Sequence, residues 1–324
     1  MVLTRRGFLA GAGATLLAQP LWAATEDMLQ IEGPAFGAGW RVRVSAKADA
    51  AAIARAVSGV VASVDGQMSP FRAGSDLSRV NRTESSDWVP VPPAMTVVLA
   101  EAQRIAGQSA GAFDPTLGGI AGRYGFGPIT TAPEGQFAEM AIGPGRLRKA
   151  HPRQTLDLCG IAKGYALDQS VAALRALGLT AFFIEMGGEV FALGTRPNGQ
   201  AWQAGLARPL PGAAGVHCRL RLSSEALATS GDQINSYRLG GRRYGHIIDP
   251  ALRHPAENAL ASVSVFAPQA ITADALATAL FAMGPERGAE LAERAGLAAL
   301  FLIREGSRLR EVMTAGFSER KVAG

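Results

Sequence analysis

One stretch near the middle of the chain combines an acid, a glycine and a lysine in a pattern that suits phosphate chemistry. Residues 156–166 read LDLCGIAKGYA, so Asp157 precedes a turn at Gly160, and Lys163 follows in the first turn of a predicted helix. Backbone N–H groups at a helix start attract anions, and a lysine adds a full positive charge. The spacing G-x-x-x-x-G-K-[ST] is absent, so this is not a Walker loop. A solvated Lys163, or a Gly160 carbonyl that binds a hard metal ion, are the other interpretations.

A second stretch places a carboxylate and a hydroxyl on one helical face. Asp274 and Thr278 are four residues apart in the otherwise apolar segment ADALATAL, residues 273–280. Residues at this spacing are neighbours on a helix. Leaving such polar groups without a partner in apolar surroundings costs about 1–3 kcal/mol or more. Magnesium, which binds a few protein oxygens beside phosphates, is one such partner, and a hydrogen bond from a neighbouring loop is the alternative.

Three polar loops carry further candidates. Phe71 lies beside an arginine and can stack on a planar ring, although an ordinary turn with Ser75 as a helix cap explains the same residues. Asp114 precedes a proline, which leaves its carboxylate free to bind an amine or ring N–H, or to close a plain Asp-Pro turn. His246 begins HIIDP among other polar candidates, whereas the remaining histidines show no ligand spacing.

Apolar periodicity predicts the elements that must position these residues. Helices are expected at 48–64, 94–106, 161–177, 270–283 and 285–295, and strands at 28–46 (a pair), 155–158, 182–186, 190–193, 202–207, 219–223, 245–248, 262–266, 298–304 and 309–312. Helices and strands are intermixed without a regular βαβ rhythm. The sequence therefore predicts an α+β fold with one continuous core, a single bilobed domain and not a Rossmann sheet.

The N-terminus predicts an export signal. Arg5 and Arg6 precede a weakly apolar run and an alanine cleavage site, the pattern of a Tat signal peptide over residues 1–24. The apolar run, about 13–15 residues, is too short to span a bilayer. We therefore expect a periplasmic protein whose mature domain covers residues 25–324.

Composition excludes several classes of protein. The 324 residues are 48% hydrophobic and 18% charged, which indicates a globular chain and excludes disorder or a coiled coil as its main state. The net charge of +5 is too small to argue for nucleic-acid binding. Two cysteines are too few for a disulfide framework or a zinc site.

Taken in order, seven stretches of the chain resemble the ApbE family, the FAD:protein FMN transferases. They are MSPFRAGSDLSRVN (68–81), GAFDPTLGG (111–119), LDLCGIAKGYALD (156–168), EMGGEVFALG (185–194), ATSGDQ (228–233), HIIDP (246–250) and ADALATAL (273–280). The resemblance implies an ApbE-type α+β fold over residues 25–324. It also implies magnesium-dependent transfer of FMN from FAD to a Thr or Ser hydroxyl of a partner protein, through a phosphoester bond, with release of AMP.

The resemblance assigns roles to individual positions. It implies a flavin contact at Phe71, and adenine-side or pyrophosphate contacts at Ala112, Phe113, Asp114, Asp157, Lys163 and Ile248. It implies metal ligation by the Gly160 carbonyl, Asp274 and Thr278. Some members carry a further Asp where this chain has Ala277, which argues against a second metal ion and against strong FAD pyrophosphatase activity. The Met-Gly-Thr signature of the family is also missing, so its flavin contact is lost or is made by Phe36.

The predicted catalytic residues follow from the chemistry of phosphoryl transfer. Magnesium and Lys163 neutralise the pyrophosphate, and the acceptor hydroxyl needs a base. His246 has a pKa range that suits this task and is the predicted base, with Asp249 as the next candidate. Asp274 and His246 are therefore the predicted catalytic pair.

The resemblance also indicates partners. It implies an acceptor flavoprotein, either a subunit of an Nqr-type (sodium-pumping) or Rnf-type complex or the membrane flavoprotein of nitrous-oxide respiration. Two alternatives are a periplasmic FAD pyrophosphatase, which uses water as the acceptor, and a non-enzymatic FAD carrier or assembly factor. Cys159 is predicted to be a free thiol, with a bridge to Cys218 as the alternative.

Overall fold

The computed structural model describes residues 28–130, 137–210 and 215–322. The predicted signal peptide, residues 1–24, lies outside the described residues. Within these ranges the α-helices are α1 (Ala50–Met68), α2 (Asp76–Arg82), α3 (Pro93–Gln108), α4 (Gly118–Arg123), α5 (Ala162–Ala176), α6 (Ala270–Met283), α7 (Pro285–Arg294) and α8 (Ala315–Ser318). A single-turn 3-10 helix covers Phe137–Glu139.

The strands are short and numerous. In chain order they are β1 (Met28–Ala35), β2 (Ala38–Ser45), β3 (Trp88–Pro90), β4 (Ala141–Gly143), β5 (Arg146–Arg148), β6 (Phe182–Met186), β7 (Glu189–Leu193), β8 (Trp202–Ala207), β9 (Val216–Leu222), β10 (Glu225–Gly231), β11 (Ser236–Leu239), β12 (Arg242–Gly245), β13 (Ile248–Asp249), β14 (His254–Pro255), β15 (Leu260–Ala267), β16 (Ala298–Glu305) and β17 (Arg308–Met313).

An eight-stranded sheet forms the centre of the fold. Its strand order is β1-β2-β6-β7-β10-β15-β16-β17, and every neighbouring pair is antiparallel. Strands β3-β5-β4 form a small second sheet, and β8-β9, β11-β12 and β13-β14 form two-stranded pairs. Helices and an antiparallel sheet in one core confirm the predicted α+β class.

The central sheet is covered on both faces. Ile184 and Phe301 face a core cluster shared with helices α1, α3, α5 and α6. Their chain neighbours Phe183 and Leu300 face the opposite cluster, which includes Trp202 of β8. Because both faces are buried, these strands read as continuous apolar runs and not as an alternating pattern.

Helix α6 is buried almost all round and is held at its start by α5. It packs on β10, β15 and α5. Asp168 of α5 accepts hydrogen bonds from the Ala270 and Ile271 N–H groups at 2.8 and 2.9 Å, and so caps α6 from outside its own sequence. Gly164 lies against the same turn, where a Cβ would come within 2.3 Å of the Ala270 oxygen. These contacts fix the start of α5 relative to α6.

The strand predicted at 155–158 is wrong. Leu156 is held by the Asn81 side chain, which accepts from the Leu156 N–H and donates to the Leu156 oxygen, both at 2.8 Å. Asp157 donates its N–H to the Pro115 oxygen at 2.7 Å. The backbone is therefore satisfied by a side chain and a loop, which an apolar pattern cannot distinguish from a strand partner.

The strand predicted at 245–248 is wrong as well. Strand β12 ends at Gly245 and β13 begins at Ile248, so His246 lies in the connection between two short hairpins. Its backbone N–H donates to the Asn235 oxygen at 3.1 Å. This leaves the His246 side chain at the edge of a turn.

Both cysteines are free thiols, as predicted for Cys159. Cys159 is exposed just before α5, and Cys218 is buried in β9. The alternative of a bridge between them is therefore wrong. Over the described ranges, no helix has the length and hydrophobicity needed to cross a membrane.

Candidate functional site

Lys163 lies between two buried carboxylates. It stands in the first turn of α5, and Glu189 begins β7 directly after a turn at Gly187 and Gly188. Lys163 Nζ is 2.5 Å from Glu189 Oε1 and 3.5 Å from Asp274 Oδ1. Both carboxylates are almost fully buried, whereas 30% of the lysine side chain is exposed. The site therefore combines one accessible positive charge with two inaccessible negative ones.

The two carboxylates keep Lys163 charged. Burial alone would lower the pKa of the ammonium, but attraction from Asp274 and Glu189 outweighs this and raises the pKa of Lys163 above its usual value. Burial raises the pKa of Glu189, and Lys163 opposes that shift. Glu189 Oε2 is buried and has no hydrogen-bond partner among the described residues. Lys163 is therefore a permanent cation at neutral pH, as neutralisation of a phosphate requires.

Oxygen donors converge where α5 meets α6. Asp274 Oδ2 accepts a hydrogen bond from the Gly164 N–H at 2.9 Å. Thr278 lies one turn further along α6, and its Oγ1 is 3.1 Å from Ser230 Oγ. Gly160 packs against the same threonine, because a Cβ built on Gly160 would lie 3.4 Å from Thr278 Oγ1. The predicted ligands Gly160, Asp274 and Thr278 are thus brought together, and their oxygen donors are of the kind that magnesium prefers.

No other metal-ligand cluster competes with this one in the part of the chain that the structure describes. There, no three His, Cys, Asp or Glu side chains converge as ligands. Ala277 is fully buried and offers no side-chain oxygen. Asp274, Thr278 and the Gly160 carbonyl are thus the groups in this part of the chain that would hold a magnesium ion, through a carboxylate, a hydroxyl and a backbone oxygen.

Two loops beside the start of α5 hold further predicted residues. Asp157 Oδ1 accepts from the Cys159 N–H at 2.9 Å, which closes the turn that leads to Gly160. Asp114 Oδ1 accepts from the Thr116 N–H and Oγ1 at 2.7 and 2.5 Å. Burial raises the pKa of Asp114, although these bonds oppose the shift. One oxygen of each carboxylate is therefore committed to a local turn.

The apolar residues predicted to contact FAD lie in separate parts of the structure. Phe113 is buried, and its Cε2 lies 3.3 Å from the position of a Cβ on Gly160. Ala112 lines a cavity of about 250 Å³ beside the end of α6. Ile248 packs against α4. Phe71 is 65% exposed on the turn between α1 and α2, so its ring presents an open face.

His246 has the protonation state of a base. Its Nδ1 is 3.3 Å from the Asn235 oxygen, and because a carbonyl only accepts, Nδ1 carries the proton and Nε2 keeps the lone pair that can accept another. Burial lowers the pKa of His246, and the charge of Lys163 adds to this effect. The imidazole is therefore neutral at pH 7. Asp249, the alternative base, instead accepts from the Ala251 N–H at 2.8 Å and closes a turn.

Four residues that position the site were not predicted from the sequence: Glu189, Asp168, Asn81 and Ser230. Glu189 forms an ion pair with Lys163, and Asp168 caps α6. Asn81 holds the backbone of the loop before Asp157, and Ser230 contacts Thr278. All four lie within the seven stretches that resemble the ApbE family. The sequence stretches therefore contain these residues. Their roles could not be assigned, because each role depends on contact with a second element that lies outside its own stretch.

Comparison with known proteins agrees with this geometry. The model of the ApbE family matches residues 36–301. The FAD:protein FMN transferase of Vibrio cholerae is 31% identical, over 90% of this chain and 92% of its own length. The FAD:protein FMN transferase of Escherichia coli K12 is 28% identical, over 97% of this chain and 96% of its own length.

Solved structures agree as well. The flavin transferase ApbE of Vibrio cholerae superposes with a TM-score of 0.82 at 30% identity, covering 90% of this chain and 99% of that one. The apo form of the Pseudomonas stutzeri flavinyl transferase ApbE superposes with a TM-score of 0.82 at 32% sequence identity. The match covers 92% of this chain and 98% of that one. The chain therefore belongs to the ApbE family.

Proposed function

We propose that this enzyme transfers FMN from FAD to a Thr or Ser hydroxyl of an acceptor protein, with magnesium, and releases AMP. The observation that carries this proposal is the convergence of Lys163, Asp274 and Thr278 where α5 meets α6. The family membership and the names of the relatives support the same reaction.

The residues of the site divide the work of a phosphoryl transfer. Asp274, Thr278 and the Gly160 carbonyl would hold magnesium, which when bound supplies positive charge at the pyrophosphate. Lys163 adds a fixed positive charge on the accessible side of the same cluster. Such a reaction depends mainly on charge stabilisation and on in-line positioning of the attacking and leaving oxygens. The burial of Asp274 keeps its charge in a low-dielectric setting, where it acts most strongly.

His246 prepares the acceptor. Its Nε2 accepts the proton of the Thr or Ser hydroxyl as the hydroxyl oxygen bonds to the FMN phosphorus and the bond to the AMP phosphate breaks. Burial and the charge of Lys163 both lower the pKa of His246, which supports a neutral imidazole as the base.

An Asp274→Ala variant separates this enzyme from a non-enzymatic carrier. For the transferase, the variant loses covalent flavin on the acceptor, whereas a non-enzymatic carrier keeps its function with FAD still bound. The parent chain separates the transferase from a pyrophosphatase, because a pyrophosphatase forms AMP from FAD without labelling any protein. Asp87→Asn, a change at an exposed aspartate, is the matched control and retains full transfer.

We also propose that the chain is exported by the Tat pathway and acts in the periplasm on an Nqr- or Rnf-type subunit or on the membrane flavoprotein of nitrous-oxide respiration. The twin arginines at Arg5 and Arg6 support the export route. Replacing both with lysine keeps the charge but removes the recognised pair. The expected result is accumulation in the cytoplasm, and unchanged export would contradict the proposal.

A further inference from the structure

A hairpin outside the main sheet borders the candidate base. Strands β11 and β12 are joined by Gly240 and Gly241, both at positive φ (58° and 82°), the backbone of a tight two-residue turn. The Tyr237 and Tyr244 rings stack across the hairpin at 5.2 Å, and Phe126 stacks on Tyr237 at 5.5 Å. Aromatic stacking therefore holds the hairpin in place.

A basic groove of about 420 Å³ lies along this hairpin. Four arginines line it (Arg238, Arg242, Arg243 and Arg304), against two acids (Asp232 and Glu257). Arg243 and Arg304 share the single carboxylate of Asp232, and Arg242 pairs with Glu257. Arg238 is exposed. The groove therefore carries more positive than negative charge.

Exposed apolar side chains lie in β11, just before it, and in the connection between β13 and β14. Leu239 at the hairpin tip is 67% exposed, Leu252 is 65% exposed and Ile234 is 37% exposed. Large exposed hydrophobic residues together with arginine are typical of protein–protein interfaces, in which arginine is enriched over lysine and acids.

We propose that this groove docks an acidic segment of the acceptor protein next to the hydroxyl that receives FMN. The inference rests on the proposed function. Gly245 lines the groove and His246 follows it directly, so a chain lying in the groove reaches the base within a few residues of about 3.3 Å each. The arginines recognise the acidic side chains, and Leu239 on the hairpin contacts an apolar residue between them.

The test measures binding of a fluorescein-labelled twelve-residue peptide of glutamate and leucine by fluorescence anisotropy. The double variant R238E/R242E is expected to weaken binding about tenfold at low salt, since two attractions become repulsions. Arg221→Glu, at an exposed arginine of β9 that does not line the groove, is the matched control and binds as the parent does. A lysine–leucine peptide is expected not to bind.

Three results would overturn the proposal: no binding by the parent chain, equal binding by the double variant, or displacement of the peptide by FAD with magnesium. The last would assign the groove to the nucleotide. Thermal unfolding confirms that the variants are folded. Because the assay needs no turnover, a chain that binds the peptide but transfers no flavin contradicts the proposed function and not the acidic specificity of the groove.

Discussion

Glu189 gives a sharp test of how the site is held together. Its Oε1 lies 2.5 Å from Lys163 Nζ, whereas Asp274 Oδ1 lies 3.5 Å away. At an effective dielectric constant of 20, Coulomb attraction across these distances is about 7 and about 5 kcal/mol before desolvation is subtracted. In Glu189→Gln, Lys163 keeps only its ion pair with Asp274 and moves toward the carboxylate that we propose as a magnesium ligand.

The expected loss falls on activity more than on stability. A net contribution of about 1–2 kcal/mol, discounted because Lys163 is partly exposed, corresponds to about a 5- to 30-fold lower kcat/KM for FAD. The magnesium concentration for half-maximal rate is expected to rise. The free energy of unfolding of Glu189→Gln is expected to change little. Asp274 still neutralises Lys163, and the substitution removes the buried charge of Glu189.

Initial rates of AMP release across a magnesium titration measure both effects. Glu185→Gln is the matched control, since Glu185 is equally buried on the preceding strand, and its side chain accepts a hydrogen bond from the Gly188 N–H at 3.1 Å. If Glu189→Gln matched Glu185→Gln in kcat/KM and in magnesium dependence, the account of Lys163 would be wrong.

Three further changes probe the base, the cap of α6 and the flavin contact. The pKa of His246 is lowered by burial, so activity should rise with pH along a limb below pH 6.5. His246→Gln should abolish that limb and slow transfer by about 10²–10⁴-fold; a surviving limb places the base elsewhere. Asp168→Ala should lower the free energy of unfolding by about 1–2 kcal/mol, measured by thermal denaturation. Burial raises the pKa of Asp168 to about 6 from 3.8, so the folded state binds this proton more tightly and stability should fall as pH rises through that interval. Phe71→Ala should raise KM for FAD about tenfold with kcat nearly unchanged; an unchanged KM would remove Phe71 from the flavin site.

Periodicity predicted most of the secondary structure because the core-facing pattern is local. Helices α1, α3, α5 and α7 carry apolar residues at helical spacing, and β6 and β15 are mostly apolar and buried along their whole length. Helix α6 was also predicted, although it is buried almost all round. Segment 155–158 was assigned wrongly, because the partner of its backbone is the side chain of Asn81, which lies 75 residues from Leu156.

The sequence predicts which residue types form the candidate site. It does not predict the ion pair and the helix cap that hold them. The acid–hydroxyl spacing on α6 and the lysine at the start of α5 are visible in single segments. The ion pair between Lys163 and Glu189 and the cap that Asp168 provides for α6 depend on the approach of separate elements. Nothing in the segment EMGGEV, residues 185–190, distinguishes Glu189 from Glu185 before the fold is known.

Mass spectrometry of the acceptor tests the central claim most directly. A candidate acceptor domain is incubated with this enzyme, FAD and magnesium, and its intact mass is measured with the amount of AMP released. The account predicts a mass gain of FMN on one threonine or serine, with one AMP formed for each flavin attached. AMP release without any gain in the mass of the acceptor would contradict it and identify a hydrolase.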